Sequence, residues 1–169
     1  MPAITPAKTG SDNLCAFLDA IARAEIGPAM LADPRTDNGY RVLVGSLPGR
    51  LSLFDDYSDH PLAHGRGIEW APGRYSTAAG RYQILSRYWP HYRDQLGLAD
   101  FGPVNQDRYA IQQIREQRAL SDVHAGRIPT AIGKCRNIWA SLPGAGYGQH
   151  EHTLDTLIAA YRTAGGAVA

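Results

Sequence analysis

The chain has 169 residues, 44% of them hydrophobic and 20% charged, with 17 Lys and Arg against 16 Asp and Glu. That length suits one domain with a sizeable core, and a net charge of +1 supplies no field that would draw the protein onto nucleic acid or an anionic membrane. Apolar runs stay far below the roughly 18 residues of a spanning helix, and the opening MPAITPAKTG lacks the apolar stretch of an export signal. Synthesis in the cytoplasm without a signal peptide or membrane insertion is therefore expected. Cys15 and Cys135 stand in neither a CxxC nor a metal-ligand spacing, so buried free thiols are expected, with a single long-range bridge the other arrangement that two cysteines allow.

Along the chain, residues 1–10 read as a loose arm and residues 11–169 as a single domain. Ser11 and Asp12 open a helix over residues 12–26 in which Leu14, Phe17, Leu18 and Ile21 recur at helical spacing, and Gly27-Pro28 stops it. RVLV and LSLF, separated by Ser46-Leu47-Pro48-Gly49, predict a small hairpin between Tyr40 and Phe54. Residues 55–80, rich in Gly, Pro, Asp and His, predict a long functional loop. Helical character resumes near Ser86, with Pro90 in a first turn and Gly97 as the stop. Asn105 then caps a helix to about Arg118, Ser121-Asp122 opens a short one, and Pro129 starts another carrying Ile132, Cys135 and Ile138. After SLPGAGYG breaks the regularity, Leu154, Leu157, Ile158 and Tyr161 mark a terminal amphipathic helix ending at Gly165-Gly166. Many short helices with one small sheet make an α+β domain.

Glu25 is the most informative single residue. It shares one helical stripe with Leu14, Leu18 and Ile21. A carboxyl group against apolar walls resists ionisation and can stay protonated near neutral pH as a general acid. The helix C-terminus adds a negative dipole end that pushes the same way. Periodicity alone leans instead toward a side chain that swings to water or pairs with Arg23 or Arg74, because helix ends fray.

Two further stretches can contact a ligand. In STAAGRYQ, residues 76–83, small side chains permit close backbone approach while Tyr82 and Gln83 offer stacking and an amide. The same stretch also reads as a glycine-containing helix entry with Tyr82 in the core. In WASLPGAGYGQ, residues 139–149, three glycines around Tyr147 make a shaped, exposed loop, or simply a connector. The six histidines form no HExxH; His60 and His64 flank Pro61, and His150 and His152 point to different sides. No metal site and no cofactor are expected.

The blocks FLDAIARAE, NGYRVLVG, FDDYSDHP, STAAGRYQILSRYW, YRDQLGL and NIWASLPGAGYGQHEH follow one another from about residue 17 to residue 166. In that order they resemble the phage lambda endolysin (lambda lysozyme) family of lytic transglycosylases. The resemblance implies a lysozyme-like α+β fold, mainly helical with a small sheet region, and a substrate cleft between two lobes. It implies Glu25 as the catalytic acid/base that cleaves the β-1,4 bond after N-acetylmuramic acid, with the muramyl C6 hydroxyl as nucleophile and a 1,6-anhydro product. Tyr57, Asp59, Ser76, Tyr82, Gln83 and Tyr147 fall at family-like positions for substrate binding. Peptidoglycan strands are the implied partner, a separate pore-forming holin the implied route to the periplasm, and a monomer the implied state. Two departures stand out: the family's small-residue and glycine pair reads Ala78-Ala79 here, and His150 replaces an aromatic. The competing readings are a hydrolytic muramidase in which Asp37, Asp56 or Asp59 activates water, a non-catalytic peptidoglycan-binding module and, last, a zinc amidase.

Overall fold

The computed structural model describes all residues, 1–169. Its chain order is helices α1 (Pro6–Thr9), α2 (Asp12–Ile26) and α3 (Pro28–Ala32), a 3-10 turn at Pro34–Thr36, and strands β1 (Ile68–Ala71), β2 (Arg74–Ser76), β3 (Ala78–Ala79) and β4 (Ile84–Leu85). Helices α4 (Trp89–Leu96), α5 (Pro103–Glu116), α6 (Leu120–His124), α7 (Ile128–Cys135) and α8 (Leu154–Thr163) complete it. The chain divides into two compact units, one of Met1–Glu25 with Ala110–Ala169 and the other of Ile26–Tyr109.

In the first unit, α2 begins where the sequence places it. The Ser11 hydroxyl accepts the Leu14 N–H at 3.1 Å, satisfying an otherwise orphaned donor of the first turn. Leu14, Phe17, Leu18 and Ile21 are all buried, each contributing about 1.5–3 kcal/mol relative to an exposed position. Gly27, at φ 87°, ends the helix, and Pro28 opens the next. Residues 1–10, expected as a loose arm, instead carry α1 and the buried side chain of Ile4. The N-terminal ammonium lies 3.0 Å from the Asp19 carboxylate. The C-terminal end is also held: Ala167 N–H donates to Asn13 Oδ1 at 2.9 Å, and Ala169 N–H to Gly126 O at 3.0 Å. Cys15 and Cys135 form no disulfide and are both 0% exposed. Helix α7 stops at Cys135, leaving Ile138 outside it. Helix α8 is capped by Thr153, whose hydroxyl accepts the Thr156 N–H at 3.2 Å.

In the second unit, the strands agree in part with the sequence-based expectation. RVLV and LSLF do meet as an irregular antiparallel hairpin, through a Val42–Leu53 bridge with the Leu43 N–H donating to Ser52 O at 2.9 Å and the Phe54 N–H to Arg41 O at 3.1 Å, and a Leu47–Arg50 bridge closes the turn between them. The clearest hairpin is β1–β2, inside the stretch expected as a loop, with Ile68 opposite Ser76 and Glu69 opposite Tyr75. Pro72-Gly73 makes its turn, with Gly73 at φ 71°. Strands β3 and β4 pair Ala78 with Leu85 and Ala79 with Ile84. Leu51 and Leu53 have another use, packing on the cluster of Ile26, Met30 and Val42. Helix α5 begins two residues before the expected Asn105 cap, with Gly102 O accepting the Gln106 N–H at 3.0 Å. Asn105 turns its amide back to Asp100 instead.

A buried polar node organises this unit. Asp107 Oδ1 accepts the phenol protons of Tyr40 at 2.7 Å and Tyr82 at 2.6 Å. Gln106 Oε1 accepts the Arg81 N–H at 2.9 Å while its amide donates to the carbonyls of Tyr40 and Phe101. Gly80, at φ 76°, makes room for this: a Cβ there would stand 2.1 Å from Gln106 Oε1. Phe101 gathers an aromatic cluster with Phe54, His60 and Trp89.

Candidate active site

Glu25 lies in the last turn of α2, on the stripe of Leu14, Leu18 and Ile21. Its side chain neither swings to water nor pairs with a cation. Arg23, one of the cations within reach by sequence, turns to Asp19. Ser141 instead donates from its hydroxyl to Glu25 Oε1 at 2.5 Å, with its backbone N–H at 3.4 Å from the same oxygen. Burial pushes the Glu25 carboxyl above its ordinary range, and the two Ser141 donors pull it back only in part. The outcome is a carboxyl group biased toward its protonated form, with one hydroxyl fixed against it. A carboxyl group in that state can donate a proton.

Ser141 is held from both sides. Trp139 and Leu142 are buried around it, and His152 N–H donates to Ser141 O at 2.9 Å. The His152 ring places Nε2 3.2 Å from Ala24 O, stitching this segment to the last turn of α2. Beyond Ser141 the chain enters a glycine-rich loop in which Tyr147 is 56% exposed, its hydroxyl donating to Asn137 O at 2.9 Å. Glu25, Ser141 and Tyr147 thus belong to one unit.

The other five residues expected to bind substrate, Tyr57, Asp59, Ser76, Tyr82 and Gln83, belong to the second unit. Tyr57 donates to Asp37 Oδ2 at 2.7 Å and stands edge-on to Phe54 at 5.3 Å; burial and the Asp37 hydrogen bond both raise its phenol. Asp59 accepts from Trp89 Nε1 at 2.7 Å and from the His60 N–H at 2.8 Å. Burial pushes its carboxyl up, and the His60, Trp89 and Arg93 interactions together bring it below the ordinary range. Ser76 closes β2, its hydroxyl accepting the Ala78 N–H at 3.2 Å. Gln83 sits at φ 47° and donates to Gly80 O at 3.0 Å. Tyr82 is 1% exposed and committed to Asp107. Its ring is a core element in this conformation, as the core reading of STAAGRYQ has it.

The histidines are placed individually. His60 is buried, with Nε2 2.9 Å from Ile84 O and Nδ1 accepting the Leu62 N–H at 3.1 Å; burial holds its ring below the usual histidine range. His150 stacks edge-on to His152 at 5.0 Å. No three His, Cys, Asp or Glu side chains gather in a manner suited to a metal ion. Sequence reasoning missed Ser141 and His152 as parts of the site. Both stand in the quoted block NIWASLPGAGYGQHEH, but no local spacing points from them to a glutamate in the first helix.

A mainly helical body with small two-stranded sheets, carrying a desolvated carboxyl group at a helix end, is a lysozyme-like architecture. Residues 15–168 match the endolysin family model. Curated relatives include the endolysin of Escherichia phage P2, 58% identical over 157 residues covering 91% of this chain and 93% of the relative. The endolysin of Escherichia phage lambda is 51% identical over 153 residues, covering 90% and 91%. Among solved structures, bacteriophage lambda lysozyme complexed with a chitohexasaccharide aligns with a TM-score of 0.81 at 47% identity, and a second lysozyme from bacteriophage lambda at 0.79 and 46%. Each alignment covers 100% of both chains. The chain belongs to the endolysin family of phages, lysozyme-like enzymes that degrade peptidoglycan.

Proposed function

We propose that this endolysin is a lytic transglycosylase that cleaves the β-1,4 bond between N-acetylmuramic acid and N-acetylglucosamine, with Glu25 as its one acid/base. The observation that carries the reading is the half-buried Glu25 carboxyl, raised by desolvation and hydrogen-bonded to Ser141. Because Oε1 is occupied by Ser141, the mobile proton is assigned to Oε2. Protonated Glu25 gives that proton to the departing glycosidic oxygen as the C1–O bond breaks. The muramyl C6 hydroxyl then bonds to C1, and its proton passes to the Glu25 carboxylate, restoring the acid. The nucleophile is already part of the substrate, so proximity replaces a second catalytic carboxylate.

The second carboxylates that hydrolysis would use are poorly placed to act as bases. Asp56 is held below its ordinary range by the Ser58 N–H and hydroxyl, and Asp59 by its three partners, whereas a general base works best when its pKa lies near the operating pH. Asp37 is engaged by the Tyr57 phenol. These commitments favour transglycosylation over water activation.

Residues 11–169 act in this reading as one lysozyme-like catalytic domain without a metal or organic cofactor. Tyr57, Asp59, Ser76, Gln83 and Tyr147 bind the glycan, and Tyr82 contributes by fixing the segment that carries Gln83. The chitohexasaccharide in the lambda lysozyme structure supports a β-1,4-linked sugar chain as ligand. No helix is long and apolar enough to cross a membrane, and we assign access to the periplasm to a separate holin, with the enzyme acting as a monomer.

Mass spectrometry of digested peptidoglycan tests the mechanism. New muramyl ends should be 1,6-anhydro sugars, lighter by one water than lysozyme products, and absent when Glu25→Gln is used, whose activity should fall by roughly 100-fold or more. Mainly reducing muramyl ends would overturn the proposal and bring a water-activating carboxylate back into consideration.

A further inference from the structure

The loop between α7 and α8 has three glycines at positive φ, Gly144 at 74°, Gly146 at 76° and Gly148 at 68°, and such residues restrict the backbone little by themselves. One side chain supplies the restraint. Glu151 accepts the Gly144 N–H through Oε2 at 2.8 Å and the Gly146 N–H through Oε1 at 2.7 Å. Both carboxylate oxygens are committed, and the two donors lie between Ser141 and Tyr147. We propose that Glu151 is a positioning residue for the glycan: by clasping Gly144 and Gly146 it sets where the Tyr147 ring stands, and so governs substrate binding while leaving proton transfer alone.

The separation of the two effects follows from how the loop is anchored. Its Ser141 end is fixed by buried Trp139 and Leu142 and by the His152 N–H on Ser141 O, none of which involves the Glu151 carboxylate. Its Tyr147 end has the single hydroxyl contact to Asn137 O, which leaves the ring direction dependent on the turn at Gly144–Gly146. Hydrogen bonds from backbone N–H groups to a carboxylate are stronger than neutral ones and fix geometry. They also hold the Glu151 carboxyl below its ordinary range, the Gly146 donor contributing most, so the clasp is ionised and closed where the enzyme works.

The inference rests on the reading of Tyr147 as a sugar contact, and a double-mutant cycle on soluble, uncross-linked glycan strands tests the two separately. Glu151→Ala should raise KM on the order of tenfold, equivalent to about 1.4 kcal/mol of lost binding, with kcat nearly unchanged. The Gly144 and Gly146 amides should exchange hydrogen faster than in the wild type. Glu151→Gln, which retains one acceptor oxygen, should fall between wild type and alanine, and it serves as the comparison if the alanine variant folds poorly. Glu151→Ala added to Tyr147→Ala should cost nothing further. A fall in kcat with KM intact, or effects that multiply in the double variant, would overturn the proposal. An unchanged KM in Tyr147→Ala removes the substrate role of Tyr147 and the proposal with it. An effect of Tyr147→Ala with none from Glu151→Ala removes the clasp alone.

Discussion

Removing the Ser141 hydroxyl should shift the titration of the proposed acid/base group, Glu25, in a direction that the geometry fixes. The Oγ stands 2.5 Å from Glu25 Oε1, and a hydrogen bond to an ionised group contributes about 1.5–3 kcal/mol. Ser141→Ala forfeits an interaction of that size with the carboxylate and should raise the Glu25 pKa. Donation by Ser141 favours the carboxylate, so its loss favours the acid and adds to the upward push of burial. In the proposed mechanism the first chemical step needs protonated Glu25. The alkaline limb of kcat/KM against pH, which reports the free enzyme, should therefore shift to higher pH. The assay is glycan cleavage by wild type and Ser141→Ala across a pH series, with folding checked by circular dichroism at each end. A limb that stays where it was, or moves toward acid, refutes the view that Ser141 tunes Glu25.

Glu25 itself carries a stability consequence. Its folded pKa lies above its unfolded value, so the folded state binds more protons and loses stability as pH rises from the unfolded pKa through the folded one. Glu25→Gln should accordingly melt at higher temperature than wild type at pH 7, and thermal scans should show the gap closing below about pH 4.3, the ordinary glutamate value; a gap that widens in acid contradicts this. Cys135, whose thiol burial pushes up to about 12, and the buried Cys15 should both resist a thiol-reactive dye until denaturant is added. Fast labelling of the native protein would show that this region opens. Gly80→Ala would put a methyl group 2.1 Å from Gln106 Oε1 at φ 76°, and strain plus a lost buried hydrogen bond should cost about 3 kcal/mol or more. A urea midpoint close to that of wild type would mean that the node around Gln106 adapts.

The parts of this fold that were readable from sequence are those decided within a few residues. Helix α2 announced itself through the Ser11 cap, the apolar stripe and Gly27-Pro28, and α4 through Pro90 and Gly97, because caps and breakers act locally. The sheet was legible only in part because short apolar runs do not reveal how regularly they pair. RVLV and LSLF meet as expected but only through isolated bridges, with Leu51 and Leu53 also used in core packing, while the more regular hairpin of IEWA and RYS, turned by Pro72-Gly73, lies in the stretch expected as a loop. Glu25 was legible because helical periodicity placed it on an apolar face. Its Ser141 partner was not, since a contact across 116 positions leaves no trace in local spacing. Tyr82 illustrates the converse: an aromatic beside small residues suggests an exposed sugar platform, and only the Asp107 acceptor, 25 positions away, explains its burial.

The separation of Glu25 from Ser141 also bears on when the enzyme becomes competent during its synthesis. The unit that houses them is discontinuous, Met1–Glu25 joined by Ala110–Ala169, so the ribosome delivers the acid early and its hydroxyl partner late. Until Ser141 and the His152 that braces it have left the exit tunnel, the nascent chain holds a glutamate on a half-built helix face, without the neighbours that desolvate and orient it. Closing so long a loop is entropically slow as well. A chain cut short before Trp139 would keep the glutamate and the whole Ile26–Tyr109 unit, yet lack the serine against which the glutamate is held.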